Sequence, residues 1–450
     1  MTKATKIVAT ISDKRCDEAF IRALFEEGMN VVRMNSAHLE REGFLKIINN
    51  VRAVSKHIAL LIDTKGPEVR TTVAENDHIE IQAGDTVKVK GDPNGISVQG
   101  KIYVSYPHFV RDLHIGDDIL IDDGEIDLKV ESKAGGYVIC TARNDGILGS
   151  RKTVNVPGVR INLPSLTEKD RRNILFAIEQ DLDFIAHSFV RNKQDIIDIQ
   201  QILNEHNSQI KIIAKIENQE GVDNIDEILE HAYGVMIARG DLGIEVAQEK
   251  IPGIQRKLIR KCVRAKKPVI VATQMLHSMI HNPRPTRAEV TDVANAIYYR
   301  TDALMLSGET AQGKYPVEAV RTMASIARES EKTKSVENNI PIPIDKHDIT
   351  SFLSNAAVEA SFQLETKAII TDTYSGRTAR YLAAYRGAVP VVAICYHERS
   401  TRELALSYGV NPFYQEGTGN TQQYFIEALQ HMLKWGWIQR DNLVCYLSGS

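Results

Sequence analysis

Residues 212–245 read IIAKIENQEGVDNIDEILEHAYGVMIARGDLGIE. Two apolar runs, IIAKI and GVMIA, are short, β-branched and bounded by polar segments. Each predicts a buried parallel strand. Between them Val222, Ile225, Ile228 and Leu229 recur at helical spacing. The stretch is therefore a β–α–β unit. Lys215 and Glu217 follow the first strand, and Arg239 and Asp241 follow the second. The carboxyl end of a parallel sheet is where such folds bind ligands. Two carboxylates and an amine there suit a hard divalent cation and an anionic substrate. A structural ion pair explains any one of these residues, but explains the set less well.

The same rhythm extends in both directions. Strands are predicted at residues 6–10, 30–34, 58–63, 183–189, 211–216, 234–239, 268–274 and 302–307, each followed by a helix. The helix over 167–181 opens with a capping box, Thr167 to Asp170. Eight βα units fit a (β/α)8 TIM barrel, which takes ~250 residues; a doubly wound open sheet is the alternative. The rhythm breaks once. Residues 72–156 show period-two alternation punctuated by Gly and Asp, and no helical pattern. They predict an inserted all-β barrel standing as a lid over the catalytic face. Barrel residues are thus 1–71 and 157–334, a linker spans 335–348, and 349–450 form a C-terminal α/β regulatory domain. In that last domain the loop TDTYSGRT carries Thr373, Ser375, Gly376, Arg377 and Thr378 into a helix. Small hydroxylated residues and a glycine there form either a phosphate-binding nest or an ordinary cap.

Composition narrows the function classes. The chain has 450 residues and a net charge of −3, so nucleic acid and anionic membrane are not expected partners. Its five cysteines show no CxxC spacing, which predicts reduced thiols. The first residues lack a signal-peptide core, and no apolar run reaches the ~20 residues of a membrane helix. A cytoplasmic enzyme is the expectation. The strand ends collect Arg33, Asn35, Asp63, Thr64, Arg70, Ser188, Lys215, Glu217, Asp241, Thr273, Ser307 and Glu309. Arginine for phosphate, acids for a divalent cation and lysine for a developing oxyanion describe phosphoryl or enolate chemistry.

The segments GMNVVRMNSAH, LIDTKGPEVRT, AKIENQEGV, MIARGDLGIE, ATQMLHSMIHNPRPTRAE and MLSGETAQGKYPVEAV resemble the pyruvate kinase family. The likeness runs the length of the chain, insert and C-terminal domain included. It implies phosphoryl transfer from phosphoenolpyruvate to ADP, with Mg2+ or Mn2+ and K+. By motif, Lys215 would steady the phosphoryl group and enolate oxygen, and Arg33 would grip the phosphoryl group. Glu217 and Asp241 would hold the divalent cation, and Gly240 the substrate carboxylate. Thr273 would lie where the enolate is protonated. Asn35, Asp63 and Thr64 would hold K+, and Arg70, Lys152 and His38 would meet the nucleotide. The resemblance also implies a homotetramer with a sugar-phosphate or nucleotide effector at the 373–378 loop. Three departures stand out. Ala37 replaces a serine near the K+ site, no Gly-Pro follows the first strand, and the chain ends at YLSGS, which predicts an incomplete effector site. Another metal-dependent (β/α)8 enzyme of pyruvate or phosphoenolpyruvate chemistry is the alternative.

Overall fold

The computed structural model describes residues 3–37, 39–159, 161, 163–333, 339–344, 347–416 and 421–448. Eight parallel strands close into a barrel: Lys6–Thr10, Val31–Asn35, Ala59–Asp63, Phe184–His187, Lys211–Ile216, Gly234–Ala238, Val269–Ala272 and Ala303–Leu306. The first strand pairs with the eighth, Lys6 opposite Ala303, and the third with the fourth across the insert, Leu61 opposite Phe184. This closure decides for the (β/α)8 barrel over an open sheet. The outer helices form where predicted, and both partners of the Thr167–Asp170 capping box are engaged.

Period two in the strands sorts their side chains. Val8, Val31, Leu61, Phe184, Ile213, Met236, Ile270 and Met305 fill the lumen. Ile7, Val32, Leu60 and Ile212 face the helices instead. Continuing the lumen set two residues toward the carboxyl end reaches Thr10, Arg33, Asp63 and Lys215. Two further residues reach Asn35 and Glu217. The alternation that packs the core therefore aims the polar residues into the mouth.

The insert leaves the barrel after the third strand. Its seven-stranded sheet surrounds its own apolar core. The sheet closes on itself through Ser105 N–H to Arg70 O at 2.8 Å and Thr72 N–H to Tyr103 O at 2.9 Å. One short helix, Phe109–Asp112, interrupts the alternation and is absent from the sequence reading. Phe109 is wholly buried there, so a single aromatic anchor rather than a periodic face makes that turn.

The C-terminal domain is a four-stranded parallel sheet ordered Val410–Tyr414, Val391–Cys395, Ile369–Thr373 and Cys445–Leu447. The strand Val410–Tyr414 is not predicted, because Asn411-Pro412 reads as a turn; proline is tolerated at the sheet edge it occupies. The helix Ile349–Gln363 is also missed, since its buried side is Ser351, Ser354, Ala357, Val358 and Ser361 rather than a large apolar stripe. Among the described residues, no helix is long and apolar enough to cross a membrane.

This domain seats on the amino end of the barrel, away from the mouth. Leu406 and Ala405 join the lumen core and plug it from below. Around them Arg386 pairs with Asp302 at 2.9 Å and Arg402 with Asp183 at 2.6 Å, and Lys6 donates to the Val410 carbonyl at 2.6 Å. Arg386 and Asp302 are both buried, so removing one leaves the other charge desolvated. Arg386→Leu is expected to cost about 3–5 kcal/mol in denaturant unfolding of the full chain. A loss below about 1 kcal/mol, the value of an exposed pair, would contradict this reading.

Candidate active site

Two basic and two acidic side chains meet in the mouth, Arg33, Asp63 and Lys215 in one layer and Glu217 in the next. Arg33 pairs with Asp63 and also donates to Thr10 Oγ1 at 3.2 Å. Lys215 lies 2.9 Å from Glu217 and 3.8 Å from Asp63, and donates to Ser188 Oγ at 2.7 Å. All four are less than 10% exposed. Burial alone would lower the Lys215 pKa, but Glu217 and Asp63 outweigh it and raise it. The ammonium is therefore held charged in a dry site, where a donor acts most strongly on an anion.

Glu217 is fixed from behind. Its Oε2 accepts from Phe189 N–H at 2.6 Å. Phe189 has φ of 56°, so the backbone turns left-handed there and its N–H meets the carboxylate. Asp241 stands next to this pair. Burial, then the Glu217 charge, push its carboxyl up to about 7. A second carboxylate beside Glu217 thus keeps its proton until something positive arrives. Among the described residues no three His, Cys, Asp or Glu side chains gather as a ready-made cage. Two acids at an anion-binding mouth nonetheless fit Mg2+ or Mn2+, which take one or two carboxylates and complete their shell with substrate and water.

The opposite wall is strained. Thr273 has φ of 65° and Gln274 of 53°, outside the range a β-branched residue normally adopts. The strain is held by Arg239, which donates to Thr273 O at 2.8 Å and pairs with Asp292 at 2.7 Å. Arg239 is thus a brace rather than a mouth cation. Thr273 Oγ1 accepts from Gly240 N–H at 2.8 Å. That N–H is therefore engaged by the protein itself.

The K+ set is split. Among the described residues, Asp63 Oδ1 is buried with no hydrogen-bond partner, as a cation ligand would be, and the Arg33 Nε donor also lacks one. Asn35 Oδ1 caps its own loop at Ala37 N–H, 3.0 Å away. Thr64 is buried, with its hydroxyl and carbonyl both bonded to Ser188. The proposed nucleotide residues lie at the root of the insert, with Thr153 opposite Arg70 in register. Each already has an acid: Arg70 lies 2.7 Å from Glu68, and Lys152 2.6 Å from Asp122. His38 lies outside the described residues. The 373–378 loop belongs to the C-terminal domain and does not join the mouth. Glu309 is buried as a cap, accepting from Leu276 N–H at 3.1 Å and Ser307 N–H at 2.8 Å. Thr10, His187 and the Phe189 N–H carry no motif signal; only the lumen alternation points to Thr10.

Comparison with known proteins bears on the whole chain. The family model described as pyruvate kinase, barrel domain, matches residues 2–320, and that of the pyruvate kinase alpha/beta domain matches 352–450. A pyruvate kinase from Borreliella burgdorferi is 45% identical over 100% of this chain and 94% of its own length. One from Clostridium acetobutylicum is 41% identical, over 99% and 96%. A solved pyruvate kinase from Cryptosporidium parvum superposes with a TM-score of 0.95 at 35% identity, covering 99% of this chain and 94% of that one. A closed barrel, a β insert, an α/β domain and a mouth built for anionic chemistry agree with these matches: the chain belongs to the pyruvate kinase family and is a phosphotransferase.

Proposed function

We propose that the mouth transfers the phosphoryl group of phosphoenolpyruvate to ADP, with Lys215 as its central cation. The observation that carries this reading is the placement of Lys215. It is buried and bonded to Ser188 and Glu217, and among the described residues its third N–H has no partner closer than Asp63 at 3.8 Å, which leaves that direction for a ligand. Little covalent work is asked of the protein in such a transfer, so positioning and charge neutralisation dominate. Arg33 binds the phosphoryl oxygens with its unpartnered Nε, while Asp63 holds its other face. Lys215 moves between the transferring group and the enolate oxygen left behind. Thr273 orients the water that returns a proton to carbon. Glu217 and Asp241 would hold the divalent cation, which would supply charge neutralisation for the transfer. Asp63, Thr64 and Asn35 hold K+ with one hydroxyl fewer, because of Ala37. Arg70 and Lys152 turn from Glu68 and Asp122 to the nucleotide phosphates, and His38 adjoins them. Gly240 N–H turns from Thr273 to the substrate carboxylate.

The C-terminal domain adds self-association and an effector site. Ile349, Phe352 and Leu353 expose one apolar face of the helix Ile349–Gln363, which supports assembly through copies of this domain into a homotetramer. In the 373–378 loop Thr373 already accepts from Gly376 N–H at 2.9 Å, and Arg377 pairs with Asp348 at 3.3 Å. Ser375 and Thr378 remain for one phosphate, together with Arg377 once released. A sugar monophosphate or a nucleotide therefore fits better than a bisphosphate.

Three outcomes test this account. Lys215→Met should fold and bind Mn2+ yet lose at least ~10²-fold in turnover; retention of a tenth of the native rate in a coupled pyruvate assay would remove its role. Because Asp241 keeps a proton up to about pH 7, proton and cation compete. Mn2+ affinity of the substrate-free protein, read by calorimetry, should rise as pH climbs toward 7 and level off above it. A flat profile would show that Asp241 is not a ligand. At the loop, titrations should give measurable binding of a sugar monophosphate, weakened in Ser375→Ala and Thr378→Ala. Tight fructose 1,6-bisphosphate binding with strong activation would refute the loop assignment to monophosphates.

A further inference from the structure

Behind Lys215 a run of hydrogen bonds leads away from the mouth and ends on a buried histidine. Lys215 Nζ donates to Ser188 Oγ at 2.7 Å. Ser188 Oγ donates to the Thr64 carbonyl at 2.6 Å, and Ser188 N–H donates to Thr64 Oγ1 at 2.9 Å. Thr64 Oγ1 lies 3.1 Å from His187 Nδ1.

Counting donors fixes the direction of the last link. Thr64 Oγ1 already accepts from Ser188, and among the described residues its hydroxyl has no other bond than that to His187. Thr64 Oγ1 could accept a second bond, but an Nδ1–H would leave the hydroxyl's own buried proton without an acceptor, so the hydroxyl donates to a bare Nδ1 and the ring proton sits on Nε2. His187 is wholly enclosed, and an Nδ1 that accepts belongs to the neutral ring. Asp195, Asp170 and Glu217 lie around it, a negative field that favours an N–H over a lone pair at Nε2. Nε2 itself has no partner among the described residues. The ring's one polar service is the acceptor at Nδ1.

We infer that His187 is a positioning residue for phosphoryl transfer: it fixes the Thr64 hydroxyl and, through Thr64 and Ser188, the direction of the Lys215 ammonium. Ser188 is clamped to Thr64 at both its N–H and its hydroxyl, so a Thr64 hydroxyl free to rotate loosens the group that Lys215 leans on. Lys215 has three donors, and Ser188 and Glu217 take two. The third is aimed only as well as the first two are held. The inference rests on the role of Lys215 proposed above.

The test compares three side chains at this position, each in full-length protein at saturating Mg2+ and K+. His187→Asn keeps an acceptor near Nδ1, His187→Gln moves it toward Nε2, and His187→Ala removes it. For His187→Ala and His187→Gln the expected loss is about tenfold in kcat, the size of a misaimed catalytic group. The KM for phosphoenolpyruvate should stay within about twofold. His187→Asn should restore kcat to within about twofold of the native value. In the cycle with Thr64→Val, the double variant His187→Ala/Thr64→Val should lose no more than the worse single one. Equal losses in Asn and Gln, additive losses in the cycle, or lowered thermal stability with kcat unchanged would overturn the assignment. If the alanine variant fails to fold, the Asn–Gln pair decides alone. Should Lys215→Met remain active, the proposed role of Lys215 falls and this one with it. If Lys215→Met is inactive while His187→Gln turns over normally, only His187 is excluded.

Discussion

Charge balance in a dry mouth is the constraint from which the site follows. Arg33 and Lys215 bring two positive charges, and Asp63, Glu217 and Asp241 three carboxyls, into the end of the barrel lumen. Burying charge is costly unless each is paired. Two of the carboxyls have partners: Asp63 faces both cations, and Glu217 faces Lys215 and the Phe189 N–H. Asp241 is the third, and it resolves the excess by keeping a proton. The mouth is thus internally neutral, its cations and ionised carboxyls paired with one another.

The rest of the fold protects this balance. The lumen below is filled by apolar side chains and stopped by Leu406 from the C-terminal domain. Arg386, Arg402 and Lys6 tie that domain to the barrel's amino face, at the end opposite the mouth. At the mouth, the insert root touches the barrel through Asn155 and Glu245, 3.4 Å apart. Burial pushes the Glu245 carboxyl up to about 7. Beside the site, backbone strain at Thr273 and Phe189 is braced by Arg239 and Glu217 respectively.

Much of this was legible in the residues. The eight strands were readable because buried parallel strands are short β-branched runs, and 211–216 and 6–10 have the predicted bounds. Arg33, Asp63, Lys215 and Glu217 were readable because alternation dictates which strand ends face inward. What could not be read depends on tertiary placement. Arg70 and Lys152 look like free cations in sequence, but Arg70 folds back on Glu68, two residues earlier, and Lys152 meets Asp122 from another turn of the insert. Arg239 resembles a mouth residue until Asp292, 53 residues on, pairs with it. The strand Val410–Tyr414 is hidden by a proline that only an edge position permits. His187 carried no motif, because its role comes from Thr64, 123 residues earlier.

The most direct test of the charge balance is the ionisation of Asp241 itself. Carbon-13 NMR of the aspartate side-chain carboxyls, assigned with Asp241→Asn, would follow its titration in the substrate-free protein. The account predicts a midpoint near 7, moving higher in Lys215→Met, since Lys215 favours the ionised form. A midpoint near the ordinary aspartate value of 3.8, unmoved by loss of Lys215, would contradict it.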